Sequence, residues 1–387
     1  MNTVRLSTPE DYQLPAARLP ILVQLGLTYR CNLACSHCYA LYRRDRAEFS
    51  LPEIKNLADE LYRAGSAAVV YSHGENMIRS DFHEAAAVFR DLDFYQTLML
   101  NGFYIRTAAD AQRLADSGVN RAMTSVDSAD PAVHDRVRGR AGAYQRAMAA
   151  IELLLASDVD TVGFSCTIDS HNYDTIGDIV DLALRTGVHA ISFMQNRYNL
   201  RDIFNRSLLR QYEQVCRNIY ELMLEHRGRL DIYTHDPFML TLLDDRLADE
   251  SQRAAFIGSN LCNVATSMVS IDPVGNVTGC NFIPEVIGNV RDEPFSAIWD
   301  RLVERYSDER EPPTGACSGC GVRASCMGGC KAFHYIGKWD ERCGETRFGE
   351  LAPHGLAVAS VEAVTPNRAP GVFLGLPRVG SRLGPES

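Results

Sequence analysis

Ile21-Leu-Val-Gln-Leu-Gly-Leu-Thr-Tyr29 runs through Arg30 into Cys31-Asn-Leu-Ala-Cys35-Ser-His-Cys38-Tyr39. The first half is an apolar run rich in strand formers. The second half puts three thiols on one short loop, spaced C-x3-C-x2-C. Three thiolates can hold three irons of a cubane, which normally takes four cysteines. The iron left without a protein ligand is an open position where a small molecule can coordinate. A zinc site is the alternative for this loop taken alone.

Working outward, apolar runs alternate with helical patterns as far as residue 200. Strands are expected at Ile21–Tyr29, Ala67–His73, Gln96–Asn101, Arg121–Asp127, Val162–Asp169 and Ala190–Gln195. Helices are expected between them, among them Pro52–Ala64, Ala108–Ser117 and Tyr173–Thr186, with Gly118 and Gly187 as stops. This alternation reads as repeated βαβ units on a parallel sheet. About six units are visible, two short of a full (β/α)8 barrel. The cysteine loop follows the first strand, at the end where barrels build their sites.

Residues 201–257 are richer in charge and read as a helical bridge. From Gly258 strands shorten, and cysteine and glycine become frequent. Ser267–Ile271 and Val277–Asn281 flank Asp272-Pro-Val-Gly-Asn276, a hairpin signal. Pro294–Tyr306 reads as one short helix. Residues 1–18 form a polar N-terminal segment, and 347–387 a loosely ordered tail rich in Pro, Gly, Val and Arg.

The 387 residues suffice for a large domain and a smaller one. Lys and Arg number 39 against 49 Asp and Glu, so the formal net charge is −10. That balance argues against a surface for nucleic acid or anionic membrane. No secretory signal is visible, and no apolar run reaches the roughly 18 residues of a membrane span. A cytoplasmic location is expected. Of the 12 cysteines, ten fall in two clusters, which in a reducing compartment points to metal rather than disulfides. Cys166 and Cys216 lie between the clusters and read as structural.

The first loop resembles that of the radical S-adenosylmethionine (SAM) superfamily. The expected fold is α/β, a partial (β/α)6 TIM-like barrel over residues 19–200 and a small cysteine-rich domain over 258–346. The resemblance implies a [4Fe–4S] cluster on Cys31, Cys35 and Cys38, with SAM chelated at the open iron. Tyr39 belongs to the same motif. Ser72-His73-Gly74-Glu75-Asn76 is similar to the family's Gly-Gly-Glu-Pro segment, with Gly74 and Glu75 matching and His73 and Asn76 departing. Leu100-Asn101-Gly102 and Ser125-Val126-Asp127-Ser128 resemble further family segments, and His134-Asp135 and Arg138-Gly139 follow in order. Tyr39, Gly74, Glu75, Asn101, Ser125, Asp127 and Arg138 are therefore expected to contact SAM.

Cys262-x12-Gly275-x4-Cys280, then Cys317-x2-Cys320-x5-Cys326-x3-Cys330 and Cys343, resemble a SPASM domain, an auxiliary-cluster module of this superfamily. The resemblance implies one auxiliary [4Fe–4S] cluster on Cys317, Cys320, Cys326 and Cys343. It implies a second on Cys262, Cys280 and Cys330, whose fourth ligand is not apparent. The implied activity is reductive cleavage of SAM to a 5′-deoxyadenosyl radical, hydrogen abstraction, and oxidative modification of a peptide such as a cross-link. A small-molecule epimerase, dehydrogenase or cofactor-pathway enzyme is the alternative; a non-catalytic redox sensor would need no SAM pocket. Only about 20 residues precede the first strand, which counts modestly against a leader-binding domain. A sulfatase-maturase role is disfavoured because Asn281, not aspartate, follows Cys280. Expected partners are the peptide or small-molecule substrate and an external electron donor such as flavodoxin or ferredoxin.

Overall fold

The first strand, β1 (Leu22–Gly26), lies inside the sheet, with β2 (Ala68–Ser72) on one side and β8 (Met268–Ile271) on the other, both parallel to it. In this computed structural model residues 18–40, 47–196, 206–242, 246–247, 256–307 and 329–332 are described. Beyond β2 the parallel array continues through β3 (Tyr95–Leu100), β4 (Val119–Ser125), β5 (Thr161–Ile168), β6 (Ala190–Gln195) and β7 (Asp231–Thr234). Beyond β8 it ends in the antiparallel strands β9 (Asn276–Thr278) and β10 (Gly288–Asn289).

All six strands expected up to residue 195 are present. The segment read as a helical bridge holds a helix at Arg206–Glu225 but also β7, which pairs with β6 from Ala190↔Asp231 to Phe193↔Thr234. Four residues are too short to show a two-residue period, so only the pairing reveals this strand. The hairpin and the short helix near Pro294 are likewise present. The N-terminal segment before residue 18, the tail from 347, and Cys317, Cys320, Cys326 and Cys343 lie outside the described residues.

Local chemistry fixes the helices between the strands. Ser50 and Glu53 form a reciprocal capping box at the start of α1 (Leu51–Arg63), and Thr107 and Asp110 do the same for α3 (Ala108–Asp116). Between these lies α2 (Phe82–Arg90); α4 (Pro131–Arg138), α5 (Ala143–Leu155) and α6 (Ile176–Thr186) follow. Gly139 and Gly187 end α4 and α6 in the left-handed conformation.

The two sheet faces differ, and the difference positions the site. One face carries Val23, Leu25, Val69, Tyr71, Leu98, Val162 and Phe164, which pack into one core with the buried helix faces. Tyr71 meets Phe82 and Phe89 of α2 edge-on. The other face carries Gln24, Val70, Thr97, Met99 and Thr167, each only half-buried. An inward face that is not filled by its own side chains leaves room for a ligand inside the barrel.

The C-terminal segment is stitched to the barrel. Tyr29 Oη donates to Asp272 Oδ2 at 2.8 Å, and the Phe295 amide to Glu60 Oε2 at 2.8 Å. Arg291 Nε lies 2.8 Å from Glu53 Oε1. Among the described residues no helix is long and apolar enough to cross a membrane.

Candidate functional site

The cysteine loop begins where β1 ends and is clamped on two sides. On one side, the Gly74 amide donates to the Thr28 carbonyl at 3.0 Å and the Glu75 amide to the Arg30 carbonyl at 2.9 Å. A Cβ on Gly74 would stand 2.4 Å from the Arg30 carbonyl oxygen, so only glycine permits this approach. On the other side, the Ser36 amide donates to the Val137 carbonyl at 2.9 Å at the end of α4. Gly139, with φ +66°, lies so close that a Cβ would sit 2.5 Å from the Ala34 carbonyl oxygen.

Polar side chains then reach the sulfurs. Arg138 Nη1 lies 3.8 Å from Cys35 Sγ, and Asn101 Nδ2 lies 4.0 Å from Cys31 Sγ. Asn101 also ties the loop to Glu75: its amide donates to Glu75 Oε2 at 2.9 Å, while its Nδ2 donates to Asn32 Oδ1 at 2.8 Å. Glu75 is 3% exposed, and its second oxygen, Oε1, has no hydrogen-bond partner. Burial pushes its carboxyl up to about 7, against the pull of the Asn101 and Met77 amides. A buried carboxylate with a vacant acceptor is an unfilled demand for a cation or a donor.

Asp127 is buried among protein partners. Its Oδ2 lies 2.7 Å from Arg138 Nε and 3.0 Å from His37 Nε2, and its Oδ1 accepts from the Thr167 amide at 3.0 Å. Burial opposes ionisation, but the Arg138 and His37 charges outweigh it and hold the carboxyl well below the usual range. The Asp127–Arg138 pair thus fixes a guanidinium beside Cys35. Ser125 is half-buried at the end of β4. Tyr39 accepts from the His73 amide at 2.9 Å, and its ring meets His73 and Phe282 edge-on.

The two departures from the expected segment have physical readings. His73 has φ +75°, a region that favours glycine, so the backbone here keeps the glycine shape while carrying an imidazole. That ring sits between Tyr29 and Tyr39. Asn76 is fully buried; its Oδ1 accepts from the Leu27 amide and its Nδ2 donates to the Ser72 carbonyl, both at 3.0 Å. It pairs backbone groups where the strands end.

Of the second cluster, Cys262, Cys280 and Cys330 are described. The Lys331 amide donates to Cys262 Sγ at 3.5 Å, bringing the two distant segments together. Cys280 is buried beside the barrel mouth. Its neighbour Asn281 donates from Nδ2 to Ser72 Oγ at 3.2 Å and from its amide to Gln24 Oε1 at 3.2 Å. Asn281 therefore connects the auxiliary segment to the inward face of β1 and β2.

The donor chemistry suits iron–sulfur clusters. Amide, guanidinium and carboxamide groups point at cysteine sulfurs, as they do where bridging and ligand sulfurs carry negative charge. Cys166 is fully buried in the core, with Asn172 Nδ2 3.5 Å from its sulfur. Cys216 is buried on the helix Arg206–Glu225. Asp236 Oδ1 accepts from the Phe238 amide at 3.0 Å, as a residue capping a helix start does.

A family profile described as the radical SAM superfamily matches residues 25–183, and one described as an iron–sulfur cluster-binding domain matches residues 262–321. The mycofactocin maturase MftC of Mycolicibacterium smegmatis is 31% identical over 324 residues, 82% of this chain and 79% of that protein. The chain belongs to the radical SAM superfamily. The AdoMet-dependent heme synthase of Methanosarcina barkeri is 28% identical over 331 residues, 83% of this chain and 94% of that protein. Among solved structures, Streptococcus suis SuiB bound to SAM superposes with TM-score 0.65 at 16% identity, covering 81% of this chain and 74% of that one. Native anSMEcpe with AdoMet and the Kp18Cys peptide gives 0.66 at 16% identity, covering 85% and 98%.

As a radical SAM enzyme, the chain uses SAM and a [4Fe–4S] cluster, and its SPASM segment implies auxiliary iron–sulfur clusters. Several groups at this site escaped sequence reasoning. His37 lies inside the cysteine motif between two of its cysteines, where the spacing assigns no role. Asn172 donates to the Asp127 carbonyl at 2.8 Å, and its only signal in the chain is a polar residue shortly after a strand, which turns share. His134, already singled out after the fourth strand, receives the Asp127 amide on Nδ1 at 3.2 Å.

Proposed function

We propose that this radical SAM enzyme acts as an oxidoreductase that modifies a peptide, for example by cross-linking side chains. The observation that carries the SAM half of this reading is the buried Glu75 carboxylate with Oε1 unpaired beside the Cys31 loop. With the reduced cluster and SAM in place, such a site supplies a 5′-deoxyadenosyl radical that abstracts a substrate hydrogen. Glu75 would receive the SAM ammonium on Oε1, and Asn101 would hold Glu75 against the loop. Asp127 and Arg138 would act one step back, fixing Cys35 rather than touching SAM. Gly74 would let the chain pass close to the ligand.

The peptide half is supported by the kind of relative found. The 31% identical protein is a maturase, and SuiB has been solved with a precursor peptide, anSMEcpe with short peptides. The half-open inward face of the sheet suits a segment of chain entering from the side. Cys262, Cys280 and Cys330, with Cys317, Cys320, Cys326 and Cys343, would hold two auxiliary [4Fe–4S] clusters. These would accept the electron left on the substrate radical. Such oxygen-sensitive centres fit a cytoplasmic setting and an external electron donor of the flavodoxin or ferredoxin kind. The chain would divide into units at 19–200, 201–257 and 258–346, with β8 of the third joining the sheet of the first.

A second reading, a small-molecule or cofactor-pathway enzyme, is favoured by the 28% identity to a heme synthase over 94% of that protein. The deciding experiment is anaerobic reconstitution with iron and sulfide, followed by SAM, reductant and short peptides encoded beside this chain. Formation of 5′-deoxyadenosine coupled to paired hydrogen loss from a peptide supports the proposal. Coupling only to a tetrapyrrole or sugar overturns the peptide assignment, and no 5′-deoxyadenosine with any substrate overturns the whole.

A further inference from the structure

A concavity of about 670 Å³ lies beside the cysteine loop, walled by Phe103 and Arg106 from the connection after β3 and by Arg140, Gly142, Gln145 and Arg146 around the start of α5. All three arginines are exposed, and among the described residues none forms an ion pair. The nearby Asp135 carboxylate is engaged with the Gly142 and Tyr144 amides, at 2.6 and 2.8 Å. A chain of net charge −10 therefore carries a cationic hollow here.

The hollow is wired to the cluster loop. Arg140 lies over the Phe103 ring at 4.3 Å, and its Nη1 donates to the Asn32 carbonyl at 3.0 Å. Asn32 adjoins Cys31 in the chain, and its Oδ1 accepts from Asn101 Nδ2, the group that also reaches Cys31 Sγ. One residue thus separates the arginine-lined surface from a cluster ligand.

We propose that this hollow docks the acidic face of a small one-electron carrier protein, and that the electron enters the cluster from the Arg140–Asn32 side of the loop. This rests on the reading of the chain as an enzyme whose cluster must be reduced from outside. The step moves one electron from the reduced carrier to the oxidised cluster, with no bond made and no proton moved. The charge pattern favours a protein over a free anion. The guanidiniums are exposed and spread over two connections, whereas a phosphate-sized site buries them around one point. Spread cations act mainly on the rate of encounter.

The test uses the reconstituted holoenzyme and the variant Arg106→Glu/Arg146→Glu, which leaves Arg140 and the cysteine loop untouched. An acidic flavodoxin, reduced anaerobically, is the probe. Binding is titrated, and bleaching of the cluster absorbance is followed by rapid mixing, with photoreduced deazaflavin as a neutral reductant. The expected result is flavodoxin affinity and reduction rate lower by about tenfold or more in the variant, with weaker salt dependence. Reduction by deazaflavin should stay at the wild-type rate. Unchanged flavodoxin binding and reduction overturns the proposal. So does displacement of flavodoxin by inorganic phosphate at equal affinity, which makes the hollow a small-anion site. Loss of 5′-deoxyadenosine formation with deazaflavin in both proteins would sink the functional reading instead.

Discussion

His37 Nε2, from inside the cysteine motif, lies 3.0 Å from Asp127 Oδ2 just beyond the end of β4. The same oxygen lies 2.7 Å from Arg138 Nε, and Arg138 in turn reaches Cys35. One carboxylate thus sets two groups that shape the loop. Removing one partner of a buried pair leaves an uncompensated charge, which costs about 3–5 kcal/mol. Asp127→Asn is expected to lower unfolding stability by about 3 kcal/mol, somewhat less than that full range because the amide keeps part of the hydrogen bonding. Iron and sulfide per chain after reconstitution should fall as well. Wild-type iron loading in this variant would show that the network does not position the cysteines.

Gly74 tests the other clamp. A methyl group there would meet the Arg30 carbonyl at 2.4 Å, and the neighbour is backbone that cannot rotate away. Overpacking of this kind costs about 1–3 kcal/mol. Gly74→Ala should show that loss in thermal unfolding, together with weaker SAM binding, because the loop and Glu75 must move apart. Gly142→Ala, where a Cβ meets nothing but φ is +80°, is the comparison for backbone strain alone. If both variants lose the same stability and both bind SAM normally, close approach is not what Gly74 provides.

These clamps also mark how far the sequence could be read. The strands up to Gln195 were legible because each is a run of apolar residues between helical patterns, and the cysteines because their spacing is unusual. The β7 strand was not, being four residues whose identity as a strand comes from pairing with β6. Asp127 and Arg138 stood out in the chain, but the sequence could not say that they face each other. That depends on α4 turning back over the loop, which the Ser36–Val137 bond and the Gly139–Ala34 contact display. His73 shows the converse. Its φ of +75° lies in the region that favours glycine, the residue the resembled segment carries there, and the sequence alone could not show that this histidine adopts it.

Glu75 should bind rather than build. Its Oε2 is held by the Asn101 amide, while Oε1 is spare. Glu75→Gln keeps the shape and one acceptor but loses the charge. Removing a charged hydrogen-bond partner costs about 1.5–3 kcal/mol, or roughly tenfold to a hundredfold in SAM affinity. Iron content should be unchanged, since Glu75 is not a cysteine-loop anchor by side chain. Equal SAM affinity in the variant, measured by titration of the reconstituted enzyme, removes Glu75 from the pocket.

His134 should make stability fall as pH falls. It is 1% exposed, and its Nδ1 accepts the Asp127 amide, which requires the neutral ring. Burial and the Arg138 charge push its pKa down to about 4. An unfolded histidine titrates near 6.5. The neutral form is thus favoured by folding, so its contribution is complete above about pH 6.5 and is lost as pH falls towards about 4. Between about pH 7.5 and about pH 5.5 the loss is about 1.4 kcal/mol for this group. His134→Asn keeps an acceptor for the Asp127 amide and cannot titrate. Urea midpoints across that range should fall less steeply in the variant than in wild type; parallel slopes would mean that His134 is already protonated in the folded chain.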